Sequence, residues 1–167
     1  HVEVRQGSGL KVLSSGEADC IAIAGMGAST IISILEDDME VAQSAELLVL
    51  QPMAGAASLR AWLCSYGWQL AAEELVDDAP HFYEIIAAKR GLAPVYSAAE
   101  CAVGPLLLAQ KHPLLGKQLE RQLATCRQLL ENMGRSERAR ASEKYKEIEA
   151  LKAELEVLQN GKRSDSK

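Results

Sequence analysis

Two continuous apolar segments, residues 20–24 and 47–50, constrain the fold of this chain most strongly. Neither contains a charged or amide side chain, whereas a strand with one face in water alternates polar and apolar residues. Continuous runs of this length are typical of strands that are covered on both faces, as in a parallel sheet. Ile31, Ile34 and Leu35 recur at helical spacing between the two runs. This strand–helix–strand pattern predicts an α/β fold with a mostly parallel sheet.

The neighbouring segments extend the pattern. Residues 2–4 alternate like a short strand, and residues 10–13 resemble the start of a brief helix. Residues 58–66 are predicted to form a helix, and residues 68–76 and 82–89 to form two further strands. Four acidic side chains within and after the first of these strands are interpreted as solvated charges: Glu73, Glu74, Asp77 and Asp78.

The sequence changes character near residue 104, after which helical patterns dominate. Apolar residues are spaced in the steps of four, three or seven that form a coiled-coil seam. They are Leu119, Leu123, Cys126, Leu130 and Met133 in one helix, and Ala141, Ile148, Leu151, Leu155 and Leu158 in the next. Gly134 ends the first helix, so an antiparallel hairpin is expected over about residues 113–159. The predicted division is therefore an α/β part, residues 1–103, and a helical hairpin, residues 104–167, with a frayed tail from Gly161.

Three loops follow strand-like segments and are candidates for binding. In open α/β sheets ligands bind beyond the carboxyl ends of the strands, where such loops converge. Glycine lets a backbone approach a ligand closely, although glycines after strands are more often plain turns, so their joint placement is the informative feature. The loops are Gly7-Ser8-Gly9, Ala24-Gly25-Met26-Gly27 and Gln51-Pro52-Met53. For Gln51, capping of the strand end and hydrogen bonding to a ligand are about equally supported.

Motifs of several enzyme classes are absent from the sequence. It contains no GxxxxGK(S/T) phosphate loop, no GxGxxG fingerprint and no GxSxG nucleophile elbow. The four cysteines are far apart without CxxC spacing, so they are interpreted as reduced core thiols and no metal is expected. Trp62 and Trp68 are interpreted as helix-to-sheet packing, since a base-stacking platform needs exposed aromatic rings. Catalytic side chains stay unassigned.

No apolar run approaches the roughly 18 residues that a membrane span requires, and the first residues lack the features of a secretion signal. We therefore expect a cytoplasmic protein without a membrane partner. The net charge of −5 hides a segregation: residues 1–110 hold 5 Lys/Arg against 14 Asp/Glu, whereas residues 111–146 hold 9 against 4. The basic segment is consistent with an ordinary helix surface or with contacts to nucleic acid, and charge alone does not decide between them.

Seven short segments occur in a specific order along the chain. They are Val4-Arg5 with Gly9-Leu10, Ile23-Ala24-Gly25-Met26-Gly27, Ile34-Leu35, Leu50-Gln51-Pro52, Leu59-Arg60-Ala61-Trp62-Leu63, Phe82-Tyr83-Glu84-Ile85-Ile86 and Gly104-Pro105-Leu106-Leu107. Together with the hairpin they resemble the TrmK family, bacterial tRNA (adenine-N1) methyltransferases that act on position 22. The resemblance implies a partial class I (Rossmann-like) methyltransferase domain, followed by a helical coiled-coil hairpin that helps to grip tRNA.

The same resemblance implies S-adenosyl-L-methionine as the methyl donor and assigns candidate site residues. Cofactor contacts are expected from Ser8, Gly9, Ala24, Gly25, Met26 and Gly27, and substrate contacts from Gln51, Pro52, Arg135, Arg138 and Arg140. The family's first strand and its glycine-rich loop have no counterpart here, so the chain is expected to be N-terminally truncated and inactive alone. The alternative is a non-catalytic RNA-binding or coiled-coil interaction protein that has lost cofactor binding.

Overall fold

The computed structural model describes residues 2–164. The chain divides into two compact units, residues 1–96 and residues 97–167. This boundary precedes the predicted one at residue 104. Gly104 lies instead between two short helices of the second unit, where its φ of 110° lets the chain change direction.

The first unit contains four strands and three helices. They are β1 (Cys20–Met26), α1 (Ala28–Asp37), α2 (Met39–Ser44), β2 (Leu47–Pro52), α3 (Ala56–Ser65), β3 (Trp68–Asp78) and β4 (His81–Arg90). Both apolar runs and both later strands are therefore found where the sequence predicts strands.

The four described strands form one sheet in the order β1-β2-β4-β3. β1 pairs with β2 in parallel, whereas β4 is antiparallel to both β2 and β3. Three strands thus run in one direction, and the prediction of a mostly parallel sheet is wrong for β4. The cause is local, because only residues 79 and 80 connect β3 to β4, and so short a connection produces an antiparallel hairpin.

The core lies between the sheet and the helices α1 and α3. Ile31 and Leu35 of α1, and Leu59 and Leu63 of α3, are completely buried, since residues three or four apart share one helix face. Such burial stabilises the fold by about 1.5–3 kcal/mol for each side chain. Leu48 is equally buried on the facing side of β2.

The expectation that the first apolar run is covered on both faces is wrong. Ile21 and Ile23 of β1 are buried, but the alternate residues Cys20, Ala22 and Ala24 are exposed. The exposed side chains are the small ones. Large and small side chains therefore alternate along a run in which every residue is apolar. β1 is also the edge strand of the described sheet.

The segment before β1 also differs from its prediction. Residues 2–6 have no regular secondary structure, and residues 10–13 form turns instead of a helix. The turns are closed by the hydrogen bonds Lys11 N to Ser8 O (3.2 Å) and Leu13 N to Leu10 O (2.9 Å). Leu10 is buried at 6% exposure and anchors this segment.

The second unit is helical. Its elements are α4 (Ala98–Val103), α5 (Pro105–Ala109), α6 (Leu115–Met133), α7 (Glu137–Arg140) and α8 (Glu143–Ser164). A capping box formed by Ser97 and Glu100 begins α4, and Pro105 occupies the first turn of α5, where proline costs no hydrogen bond.

Helices α6 and α8 pack against each other, and α4 contacts both. Near α4 lie Gln118, in the first half of α6, and Leu158, in the second half of α8. The two long helices are therefore antiparallel. The turn is more structured than predicted, because α7 lies within it.

The predicted seam is buried to different degrees along its length. Leu119, Leu123, Cys126, Ile148 and Leu155 are buried, Leu130, Met133, Leu151 and Leu158 are half-buried, and Ala141 is exposed. The frayed tail predicted from Gly161 is wrong up to Ser164, where α8 ends, and residues 165–167 lie outside the described residues. Within the described range, no helix has the length and apolarity to cross a membrane.

Candidate functional site

The carboxyl ends of β1 and β2 are held together by three hydrogen bonds. Gly25 N donates to Gln51 Oε1 at 2.9 Å. Met53 N donates to Met26 O at 2.8 Å, and Ala28 N donates to Ala54 O at 2.9 Å. The second and third predicted loops therefore form one continuous edge, since parallel strands end on the same side of a sheet.

The backbone at Gly25 has the geometry of a ligand-facing loop. Its φ is +77°, and a Cβ added there would have nothing within 4 Å. The pairing of β1 with β2 shifts between Ala24 and Met26, so a bulge turns this part of the strand out of the ladder. At Gly27 the nearest atom to an added Cβ is Ser29 Oγ at 4.0 Å. Both glycines leave room for close approach of a ligand to the backbone.

The first predicted loop is closed by Arg5. Its guanidinium forms ion pairs with Glu3 (2.6 Å) and with Glu17, and it donates to Val12 O at 2.9 Å. These hydrogen bonds lower the pKa of Glu3 and of Glu17 and raise the pKa of Arg5. An added Cβ at Gly7 would lie 2.1 Å from Val12 Cγ1, so a larger residue there would require the Val12 side chain to shift. These contacts of Arg5 hold together the chain segments on either side of Ser8.

An open, apolar groove of about 340 Å³ connects this loop to the end of β1. Its lining residues are Gly9, Leu10, Leu13, Ala18, Cys20, Ile21, Ala22, Ile23, Met26 and Ile34. The structure thus brings together Gly9 and Met26, two of the predicted cofactor contacts. Gly9 also has a packing role, because an added Cβ would lie 3.2 Å from Ile34 Cγ2. Ser8 is exposed beside it.

The substrate candidates at the end of β2 differ in environment. Pro52 is buried, whereas Gln51 is half-buried. The side-chain oxygen of Gln51 caps Gly25 N, as the capping interpretation predicts. Its amide nitrogen lies 3.6 Å from Met53 Sδ, a weak acceptor, and so has capacity for a stronger partner.

A buried ion-pair network lies where β4 extends past β2. Arg60 of α3 is completely buried, and its Nε lies 2.5 Å from Glu73 Oε1 on β3. A second nitrogen of Arg60, Nη2, lies 2.9 Å from Glu84 Oε2 on β4. The interpretation of Glu73 as a solvated charge is wrong. One feature of the sequence does indicate this ion pair. Arg60 lies on the otherwise apolar face of α3, and a charge buried there needs a partner of opposite charge.

The cysteines and tryptophans are only partly as predicted. None of the four cysteines, all within the described residues, forms a disulfide. Cys101 and Cys126 are buried, but Cys20 is exposed, so the core-thiol interpretation is wrong for Cys20. Burial raises the pKa of Cys64 and of Cys126.

The two tryptophans occupy different environments. Trp68 is completely buried in the sheet, as expected. Trp62 instead stacks on Tyr66, with ring centroids 4.7 Å apart. Its Nε1 donates to Glu36 Oε1 at 2.7 Å, which ties α3 to α1.

The three candidate arginines belong to the second unit, around the turn between α6 and α8. Arg135 is 74% exposed and lies 3.9 Å from Glu131. Arg138 is exposed on α7. Arg140 is also exposed, but its Nε donates to Gly134 O at 2.6 Å, so this side chain helps to close the turn. In the part of the chain that the structure describes, no three His, Cys, Asp or Glu residues are grouped to hold a metal ion.

A glycine-containing loop at the carboxyl ends of parallel strands, beside an apolar groove, is typical of Rossmann-like proteins, in which this edge of the sheet is the usual ligand site. Comparison with known proteins narrows this class. Residues 1–160 match the family described as tRNA (adenine(22)-N(1))-methyltransferase. A curated tRNA (adenine(22)-N(1))-methyltransferase of Bacillus subtilis (strain 168) is 31% identical over 163 residues, 95% of this chain and 68% of the relative.

Solved structures agree with the sequence match. The crystal structure of the B. subtilis m1A22 tRNA methyltransferase TrmK superposes with a TM-score of 0.81 at 30% identity, over 95% of this chain and 70% of that one. A Streptococcus pneumoniae protein in complex with S-adenosyl-L-methionine superposes with a TM-score of 0.76 at 26% identity, over 94% of this chain and 68% of that one. The chain belongs to the tRNA (adenine(22)-N(1))-methyltransferase family, whose methyl donor is S-adenosyl-L-methionine. The findings favour this enzyme family over the non-catalytic alternative.

Proposed function

We propose that this protein transfers a methyl group from S-adenosyl-L-methionine to N1 of adenine 22 in tRNA, in the cytoplasm. Family membership over residues 1–160 is the observation that carries the proposal. The hydrogen-bonded ends of β1 and β2 support it, because the backbone at Gly25 is open to a ligand there and lies beside an apolar groove.

The residues of the first unit fit the cofactor. The groove is of a size typical of small-molecule sites, and its apolar walls suit a flat adenine ring. We assign Ser8 and Gly9 to one side of the cofactor, and the loop from Ala24 through Gly25 and Met26 to Gly27 to the other. When bound, S-adenosyl-L-methionine supplies an electrophilic methyl group on a sulfonium.

The task of the protein in this reaction is positioning. N1 of neutral adenine carries a free lone pair, so no side chain has to remove a proton before attack. The loops have to hold N1 about 3 Å from the methyl carbon, in line with the bond that breaks. The methylated base carries a positive charge, and carbonyl groups of a polar loop backbone stabilise such a charge. We assign Gln51 and Pro52 to the side that faces the base.

The second unit provides the contacts to the tRNA backbone. Target bases in folded tRNA are stacked or paired, and exposing one costs a few kcal/mol. The antiparallel α6–α8 pair forms a coiled-coil-like hairpin, and its turn carries Arg135, Arg138 and Arg140 on exposed positions. Contacts from these arginines to phosphates offset the cost of exposing the base.

A methylation assay tests the proposal. The native-length protein is incubated with S-adenosyl-L-methionine and an unmodified tRNA transcript, and 1-methyladenosine is located by the stop it causes in primer extension. We expect a stop at position 22, and none in a matched transcript with guanine there. Methylation of both transcripts at another position, or of neither, would refute the proposal. Calorimetry with S-adenosyl-L-methionine separately tests the non-catalytic alternative, which requires that no cofactor binds.

A further inference from the structure

We propose that the side-chain amide of Gln51 reads the N6/N7 edge of the target adenine and so leaves N1 free for methylation. This inference rests on the proposed function and adds to it a specific residue and a specific edge of the base. It follows from the orientation of one amide and from the chemistry of the base.

The orientation of the Gln51 amide is fixed by its neighbour. Gly25 N lies 2.9 Å from the side-chain oxygen of Gln51. A backbone N–H can only donate, so the atom facing it has to be the oxygen of the amide. Two further hydrogen bonds tie residues 53 and 54 to residues 26 and 28, and these hold the same two loops in register.

This arrangement leaves one donor and one acceptor position for a ligand. The oxygen has two lone pairs and uses one of them for Gly25. The nitrogen lies 3.6 Å from the thioether of Met53, and Met53 is 55% exposed on a flexible side chain that can move aside. An incoming group with adjacent donor and acceptor atoms therefore matches Gln51.

The reacting base offers one such edge. The nitrogen of Gln51 cannot bond to N1, because N1 needs its lone pair to attack the methyl group. The amino group N6 and the acceptor N7 form the adjacent pair that glutamine and asparagine recognise on adenine. Guanine presents the acceptor O6 in place of N6, so the same contact excludes it.

The location of Gln51 separates this role from cofactor binding. The groove assigned to the cofactor lies along β1 and is lined by Gly9 and Met26, among other described residues, but its lining does not include Gln51. Gln51 approaches the Gly25 loop from β2. The loop thus borders both places, because Met26 lines the groove and Gly25 contacts Gln51.

The inference is tested with a tRNA that carries 7-deazaadenosine at position 22. This base lacks N7 but keeps N1 and the N6 amino group. A bidentate contact of this kind discriminates by about 1–3 kcal/mol. We therefore expect kcat/KM of the native-length protein to fall about 5- to 150-fold relative to the unmodified tRNA. In the variant Gln51→Ala, we expect unmodified and 7-deaza tRNA to be methylated at similar, low rates.

Gln43→Ala serves as the matched control, because Gln43 is an exposed glutamine on α2 and should retain both the rate and the 7-deaza effect. Equal kcat/KM for the two tRNAs in the unsubstituted protein would overturn the inference while leaving the proposed function intact. An undiminished 7-deaza effect in Gln51→Ala would also overturn it, because another group would then contact N7. If unmodified tRNA is not methylated at all, the proposed function fails, and this inference fails with it.

Discussion

Gly25 combines a left-handed backbone with an unobstructed face, and the two properties predict different effects on substitution. In Gly25→Ala the φ of +77° should cost about 1–2 kcal/mol of folding stability. The added methyl group meets no protein atom within 4 Å, but it would meet a cofactor lying on the loop. We expect the affinity for S-adenosyl-L-methionine, measured by calorimetry on the native-length protein, to fall at least tenfold.

Gly16 provides a matched control for that substitution. Its φ is also +77°, and an added Cβ there likewise has nothing within 4 Å, but it lies before β1 and outside the groove. Gly16→Ala should therefore lose similar stability and keep its cofactor affinity. Equal affinities in the two variants would show that the Gly25 loop does not touch the cofactor.

Arg60 and Glu73 form an ion pair in which both side chains are completely buried. Removing one partner of a buried pair typically costs about 3–5 kcal/mol, because it leaves the other charge buried without compensation. Arg60→Met should lose this amount of unfolding free energy in urea titrations. Arg90→Met is the control, since Arg90 is exposed and lies over the Trp68 ring, 5.1 Å from its centroid. It should lose about 0.5–1 kcal/mol, and a similar loss in both variants would contradict the prediction.

The seam between α6 and α8 can be tested at a single position. Leu123 is 1% exposed, so Leu123→Asp places an unpaired charge among apolar side chains and should destabilise the hairpin by several kcal/mol. Ala124→Asp puts the same charge at the neighbouring, exposed position and should cost less than about 1 kcal/mol. Helicity followed by circular dichroism during thermal unfolding measures both. Equal stability of the two variants would mean that the helices do not pack through Leu123.

The helices and strands could be predicted from the sequence because their signals are local. Periodicity identifies α6, and an apolar run ending at glycine identifies β1. The direction of β4 depends on a two-residue connection and on pairing with β2, which is distant in sequence. Residues 2–4 alternate like a strand, but alternation alone does not provide a partner strand, and none is paired with them among the described residues.

The candidate site was predictable in outline for a related reason. Parallel strands end at one edge of a sheet, so the sequence pattern alone predicts that the loops after β1 and β2 are neighbours. The hydrogen bond from Gly25 to Gln51 could not be chosen from the sequence over an equally supported ligand contact, because it depends on a side-chain rotamer. Glu73 was misassigned because its partner, Arg60, lies on a different element.

The charge distribution of the whole chain leads to a last prediction, on how tRNA is bound. Residues 1–110 carry 5 Lys/Arg against 14 Asp/Glu, and residues 111–146 carry 9 against 4. Phosphates should therefore be repelled by the first segment and attracted by the second. Replacing Arg135, Arg138 and Arg140 together by alanine should weaken binding of all tRNAs similarly, because backbone contacts carry no sequence information.

The salt dependence of binding separates this mechanism from general destabilisation. Each lost phosphate contact should reduce the slope of log affinity against log salt by about 1, so the triple variant should lose up to about 3. Arg140 also closes the turn through Gly134 O, and Arg140→Lys therefore serves as a second variant that keeps the charge and should keep the slope. Lys11→Ala with Lys89→Ala removes exposed cations of the first unit and should leave the slope unchanged. Since none of these residues lines the groove, affinity for S-adenosyl-L-methionine should be constant throughout. An unchanged tRNA affinity and slope in the triple variant would assign the RNA contacts to another surface of the protein.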